Sequence, residues 1–376
     1  MSWSQVEQAF ERAAQNEMFP GATVRASLCG QPVFEGAFGM RSLVPERVPM
    51  RLDTVFDLSS LTKPLATTSA VMLLVQEGKL RLDDRVARLF PDFGVQGKGT
   101  LTWRNLLAHC SGLSAWRPFY REIEALERGG RVNFMSSRAA RQYVYEQVHR
   151  ERPEITPLTK SVYSDLNFIM LGEAVERITS MTLDSFCRQR VFRPLGLVST
   201  DFIDLTQTRT RRLKPVAEMF APTELCPFRK RVLVGEVDDE NAWAMGGVAG
   251  HAGLFAPLTE VDRLASELVA AYAGKSGLWS QKIVREFWRR DSAVYGSTWA
   301  LGWDTPSPGR SSAGRHFSPG ALGHLGFTGT SIWIDPERQL VVTILTNRVH
   351  PSRANEAIRE FRPRAHDLIL EELRDA

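Results

Sequence analysis

The sequence predicts an α+β protein of three layers, an antiparallel β-sheet flanked by helices with an all-α domain inserted into it. Three observations predict this. Near the start, Gly21 to Cys29 and Pro32 to Gly39 read as strands joined around Gly30-Gln31. Near the end, Ser331 to Asp335 and Leu340 to Asn347 flank a tight turn at Asp335-Pro336-Glu337-Arg338 and read as a second antiparallel hairpin. Between the pairs, residues 82–234 carry helical patterns and loops rich in Pro and Arg, and form the inserted domain; residues 1–81 and 235–376 form the sheet domain.

The elements follow in order. Residues 5–17 form a helix, with Val6, Phe10 and Ala13 or Ala14 on one face. The first hairpin comes next, then strand-like Thr54-Val55-Phe56-Asp57, then a helix that begins at Ser60 and carries the apolar run Leu65 to Val75. Phe168 to Glu176 is helical, and Leu340 to Asn347 is apolar throughout, as in a central strand. Ala354 to Arg374 is helical, with Pro363 marking a break or a fresh first turn. Packed against the first helix, this last one covers one face of the sheet.

Chemistry concentrates at Ser60-Leu61-Thr62-Lys63, the only S-x-x-K in the chain. A lysine three residues after a serine at a helix start places an amine one turn above a hydroxyl. Serine is a poor nucleophile near neutral pH and needs a base. Lysine serves if burial and positive potential lower its pKa. The helix N-terminus adds N–H groups suited to an anion forming at the serine. The same pattern also suits a plain N-cap serine, so the tetrapeptide needs support from elsewhere.

Two downstream segments supply it. Tyr163-Ser164-Asp165-Leu166-Asn167 sits on a loop before a helix, where a tyrosine near an ammonium can move protons to and from a serine oxygen. Gly323 to Thr330 reads as a strand whose glycines allow close approach of another backbone. Such an edge can give a second N–H to an oxyanion.

Serine, tyrosine and an H-x-G strand in this order resemble the serine β-lactamase and penicillin-binding protein superfamily, and within it the class C β-lactamase-like branch of esterases and D-amino-acid peptidases. Leu106 to Leu113, Glu77 to Asp84 and Gly246 to Phe255 resemble that branch too, so the likeness spans residues 5–350. It implies a β-lactamase/transpeptidase-like fold, Ser60 as the acylated nucleophile, Lys63 as its proton acceptor and Tyr163 as partner in proton transfer. It places His324, Leu325 and Gly326 at the family's K-T-G position, and the N–H groups of Ser60 and Phe327 in the oxyanion hole.

Two residues depart from that pattern. Asp165 stands where the family has asparagine; an ionised aspartate only accepts hydrogen bonds, and it is expected to hold the Lys63 ammonium. His324 replaces lysine, which exchanges a fixed cation for a residue largely neutral near pH 7. Both changes favour carboxylic esters or small D-amino-acid amides over penicillins. The alternatives are a true β-lactamase or DD-carboxypeptidase, and a non-catalytic binding protein of the same fold.

Composition fits an enzyme acting on a small-molecule substrate. The 376 residues are 43% hydrophobic and 24% charged with a formal net charge of +4, and the dispersed arginines give no nucleic-acid signature. No stretch approaches the roughly 18 to 20 apolar residues of a membrane span. The first residues show no signal peptide, which points to the cytoplasm if they are the native start. Cys29, Cys110, Cys187 and Cys226 are far apart and read as buried reduced thiols. No cofactor and no metal is expected, since histidines are not clustered, and no G-x-S-x-G elbow suggests an α/β-hydrolase. Oligomeric state is left open.

Other residues have lesser expected roles. Trp116, with Phe119 and Tyr120, is a candidate aromatic wall for the substrate. Val237-Asp238-Asp239-Glu240-Asn241 reads as a solvated acidic loop at the cleft rim. His251 also stands in an H-x-G, but the residues after it read as a helix, so it is expected to lie off the site. His109 reads as a hydrogen-bonded structural histidine.

Overall fold

The computed structural model describes residues 2–207, 216–275 and 277–374. Its strands are β1 (Gly21–Leu28), β2 (Gln31–Ser42), β3 (Val48–Pro49), β4 (Val55–Asp57), β5 (Asp201–Phe202), β6 (Leu225–Cys226), β7 (Arg231–Val232), β8 (Leu254–Pro257), β9 (Leu322–Leu325), β10 (Ser331–Asp335) and β11 (Leu340–Thr346). The main helices are α1 (Ser4–Gln15), α2 (Ser69–Gln76), α3 (Phe119–Arg128), α4 (Arg138–Arg150), α5 (Asp165–Thr179), α6 (Leu258–Tyr272) and α7 (Ile358–Arg374).

Six strands form the main sheet in the order β3-β2-β1-β11-β10-β9, with antiparallel pairing throughout. Both predicted hairpins form. The first turns at Cys29-Gly30, both with positive φ (53° and 78°), as a two-residue hairpin loop of the primed kind requires. Cys29 is thereby exposed, while the other three thiols are buried as expected; all four are free.

Alternating residues of the strands serve two cores. Ala22, Val24, Ala26, Val342 and Ile344 face α1 and α7, where Phe10 and Phe361 meet edge to face at 5.0 Å. Burying one such phenylalanine contributes about 1.5–3 kcal/mol. Ile332, Val341 and Leu345 face the opposite way, into one continuous core with α2, α5 and α6. Helix α7 starts at Ile358 and runs through Pro363 without the break expected of it. A second, three-stranded sheet, β4-β8-β5, lies beside the main one. Among the described residues, no helix is long and apolar enough to cross a membrane.

The fold brings three segments together. Strand β9 is an edge strand of the main sheet, bridged at Gly323 to Asp304, β4 leads into the turn carrying Ser60, and the loop before α5 carries Tyr163.

Candidate active site

Ser60 sits in a 3₁₀ turn, Ser59–Leu61, that passes into a π-helical turn, Lys63–Thr68, before α2 begins. The expected helix is therefore irregular where the chemistry lies, and Pro64, which has no N–H to donate, falls in that stretch. Ser59 has φ 51°, a strained conformation for a non-glycine residue. The Asp57 carboxylate holds it by accepting its N–H at 2.8 Å.

Ser60, Lys63 and Tyr163 meet as expected. Lys63 Nζ donates to Ser60 Oγ at 3.1 Å and to the His251 carbonyl at 3.0 Å, and pairs with Asp165 Oδ1 at 2.7 Å. Two of the ammonium's three N–H donors are thus taken by hydrogen bonds, and Asp165 supplies the counter-charge. Tyr163 donates its hydroxyl to Ser60 Oγ at 2.8 Å. The serine oxygen thus receives hydrogen bonds from two sides, which favours the alkoxide that must form during attack.

The protonation states follow from the surroundings. Burial opposes the Lys63 charge, but Asp165 and Tyr163 outweigh it and hold the amine above its ordinary value. The sequence argument required a lowered value, and the aspartate reverses that. Burial also raises the Tyr163 hydroxyl. At rest the pair is a phenol and an ammonium, and it becomes a base only on losing one proton. Because the two groups interact, that proton belongs to the pair.

His324 lies on β9 opposite Ile332 of β10. Burial and the Lys63 charge push it down to about 3, so it is neutral. Its Nδ1 lies 2.9 Å from the Leu325 carbonyl, so Nδ1 carries the proton and Nε2 is an acceptor. Gly326 is required. A Cβ there would stand 2.0 Å from Thr330 Oγ1 and 2.7 Å from the Leu58 carbonyl. Thr330 and Thr328 in turn bond the Leu58 and Asp57 carbonyls at 3.1 and 2.8 Å, tying this motif to the turn before Ser60.

One cavity of about 700 Å³ is lined by Ser60, Trp116, Tyr163, Asp165, His324, Gly326 and Phe327. Trp116 is half-exposed at its wall, whereas Phe119 and Tyr120 are buried in the core. His109 is structural, accepting the Ser164 N–H at 3.1 Å and packing against the Tyr163 ring.

Two expectations fail here. His251 lines the cavity, because β8 follows it before α6 begins; its Nε2 is 3.0 Å from Asp239, and its carbonyl holds Lys63. The acidic loop lines the cavity as expected but is only partly solvated, with Asp239 and Glu240 half-buried. Asp238 is buried, with its carboxyl pushed up to about 7, while His251 holds Asp239 down at about 2 against the effect of burial. Asp165, Asp239 and His251 bring one donor atom each within 4.8 Å of one another. The Lys63 ammonium already supplies the positive charge between Asp165 and the His251 backbone.

Sequence reasoning missed Trp299, whose ring packs on His109 at 4.4 Å and lines the cavity. It also missed four arginines of the last segment that line it: Arg348, Arg353, Arg359 and Arg362. Their density after the last strand was the available signal.

Comparisons with known proteins show the family and the fold. The model of the family described as "Beta-lactamase" matches residues 6–364. A protein of Salmonella agona named "Putative D-alanyl-D-alanine carboxypeptidase" is 33% identical over 324 residues, covering 81% of this chain and 72% of its own. Among solved structures, simvastatin synthase (LovD) from Aspergillus terreus superposes with a TM-score of 0.73 at 20% identity, covering 99% of both chains. The octameric penicillin-binding protein homologue from Pyrococcus abyssi gives 0.73 at 19%, covering 99% of this chain and 78% of that one. EstCE1, a hydrolase with promiscuous acyltransferase activity, gives 0.69 at 20%, covering 96% and 98%. The chain belongs to the β-lactamase family.

Proposed function

We propose that the protein is a serine hydrolase that forms an acyl-enzyme on Ser60, acting on carboxylic esters or small D-amino-acid amides. The observation that carries this reading is the double contact on Ser60 Oγ, 3.1 Å from Lys63 Nζ and 2.8 Å from the Tyr163 hydroxyl. In the proposed reaction the deprotonated Lys63–Tyr163 pair takes the serine proton as Oγ attacks the carbonyl carbon. The N–H groups of Ser60 and Phe327 receive the oxyanion; one such donor is worth about 3 kcal/mol in the transition state. The pair then gives the proton to the leaving oxygen or nitrogen. Water then attacks the acyl carbon and loses a proton to the pair, and the pair returns that proton to Ser60 Oγ as the bond to the acyl group breaks and the acid leaves.

Intact-protein mass spectrometry tests this directly. Wild type is expected to gain one fluorophosphonate adduct and to turn over a short activated ester, and Ser60→Ala to do neither. Turnover retained by Ser60→Ala would sink the mechanism. A DD-carboxypeptidase reading draws on the names of the Salmonella relatives. The neutral His324 weighs against it, because it cannot pair with a substrate carboxylate from the K-T-G position. Stable capture of benzylpenicillin in the same experiment would favour that reading. No adduct and no product from any probe would favour a non-catalytic binding protein.

A further inference from the structure

Ser59, the residue before the nucleophile, is held at its positive φ of 51° from both ends. Its N–H donates to Asp57 Oδ1 at 2.8 Å. Its carbonyl accepts the Thr62 hydroxyl at 2.6 Å. That carbonyl and the Ser60 N–H belong to one planar peptide unit, so whatever fixes the first fixes the direction of the second. Backbone strain of this kind persists only where the surroundings over-determine it.

The two side chains that hold Ser59 are themselves tied down. Leu254 of β8 accepts the Leu58 N–H at 2.9 Å and gives its own N–H to Thr62 Oγ1 at 3.1 Å. Asp57 Oδ2 accepts the Asp238 N–H at 2.6 Å, and the Asp57 carbonyl accepts the Thr328 hydroxyl at 2.8 Å. Asp57 thus joins the nucleophile turn to the third motif and to the acidic loop. It is buried, and among the described residues no lysine or arginine forms an ion pair with it. Burial raises its carboxyl to about 6, against the pull of the Asp238 and Ser59 N–H groups. A carboxylate buried without a cation is costly. A neutral amide could not replace it, because asparagine would turn its NH₂ towards one of the two N–H groups.

We propose that Asp57 is a positioning residue for the reaction: its carboxylate, together with the Thr62 hydroxyl, fixes the Ser59–Ser60 peptide so that the Ser60 N–H points at the developing oxyanion. Asp57 acts only through the backbone and touches no reacting atom. A misplacement of about 1 Å near reacting groups costs on the order of 10²-fold in rate, so a donor on a strained turn needs such a clamp. This rests on the serine hydrolase reading and adds what sets one of its two oxyanion donors.

The test uses a short activated ester and phenylboronic acid, which forms a tetrahedral adduct on a serine oxygen and places an oxygen where the oxyanion would lie. Wild type, Asp57→Asn, Thr62→Val and Thr62→Ser are compared, with rates normalised to the sites that fluorophosphonate labels, so that unfolded protein does not count. Asp57→Asn and Thr62→Val are each expected to lose about 10- to 100-fold in kcat with KM little changed, and to bind phenylboronic acid more weakly by a similar factor. Thr62→Ser keeps the hydroxyl and should recover most of what Thr62→Val loses; this pair decides the matter if the buried Asp57→Asn fails to fold. Unchanged kcat in folded Asp57→Asn, or in Thr62→Val, would overturn the clamp. A loss confined to KM would also overturn it, because the residue would then shape substrate binding. A loss of kcat with unchanged affinity for phenylboronic acid would move the role from the oxyanion to proton transfer. Each of these outcomes leaves the hydrolase reading standing. Absence of both ester turnover and Ser60 labelling in wild type would overturn that reading, and the clamp with it.

Discussion

Asp165 Oδ1 stands 2.7 Å from Lys63 Nζ, and this ion pair sets the resting charge of the site. Burial alone would push the lysine towards the neutral amine, and Asp165 is the largest influence that opposes it. The proposed mechanism needs one proton removed from the Lys63–Tyr163 pair, so the rate should climb as pH rises into the alkaline range. Asp165→Asn removes the opposing charge and leaves burial in control. The rising limb of kcat/KM against pH, measured with a neutral ester, should move to lower pH. An unmoved limb would show that Asp165 does not govern the pair.

Tyr163 also packs, with its ring 4.9 Å from His109 and 5.8 Å from Trp299. Tyr163→Phe keeps those ring contacts and deletes only the hydroxyl that touches Ser60. It should lower kcat by roughly 10²–10⁴-fold, the usual contribution of a positioned acid–base group, with little change in Tm. Lys63→Met should fall as far. The double variant should lose far less than the product of the two, because both act on one proton. Multiplying losses would mean that the two groups act in separate steps.

Gly326→Ala tests whether the third motif is held against the nucleophile turn. The added Cβ would sit 2.0 Å from Thr330 Oγ1 and 2.7 Å from a backbone carbonyl, so β9 or the turn must shift. A displacement of about 1 Å near reacting groups costs on the order of 10²-fold in rate. We expect that loss in kcat/KM from a folded protein. Gly277→Ala, with nothing within 4 Å of its added Cβ, serves as the control and should be silent. Full activity in Gly326→Ala would remove the close approach from the account.

The parts of the site legible in the sequence were those with local spacing. Ser60 and Lys63 lie one turn apart by chain geometry, and the glycines of the third motif mark a crowded backbone wherever they are placed. The hairpins were legible because strand alternation and turn residues are local as well. What stayed hidden depends on contacts across the chain. Asp239 meets His251 only because the loop before β8 folds back on itself. Asp238 looks solvated in sequence but is buried where its N–H reaches Asp57 at 2.6 Å. Arg362 lies on a helix that reads as an ordinary cover for the sheet, and its place in the cavity wall follows from how α7 crosses β10.

His324 gives a prediction about stability that is independent of catalysis. Its value in the folded chain is about 3, against an ordinary 6.5, chiefly because of burial. Between those pH values the unfolded chain binds the proton and the folded chain does not, so the folded state loses stability as pH falls below 6.5. At pH 5 the loss from this residue amounts to about 2 kcal/mol. His324→Gln removes the titration and keeps an acceptor. Asp57, Asp238 and Asp262 are raised to about 6, 7 and 6, mainly by burial, and act in the opposite sense. The absolute pH profile therefore mixes both effects, and the difference between wild type and variant isolates one. Denaturant unfolding at pH 7.5 and pH 5 should show the variant gaining about 2 kcal/mol relative to wild type on acidification. A constant difference would mean that His324 takes up a proton in the folded protein, which would put a cation at the third motif after all.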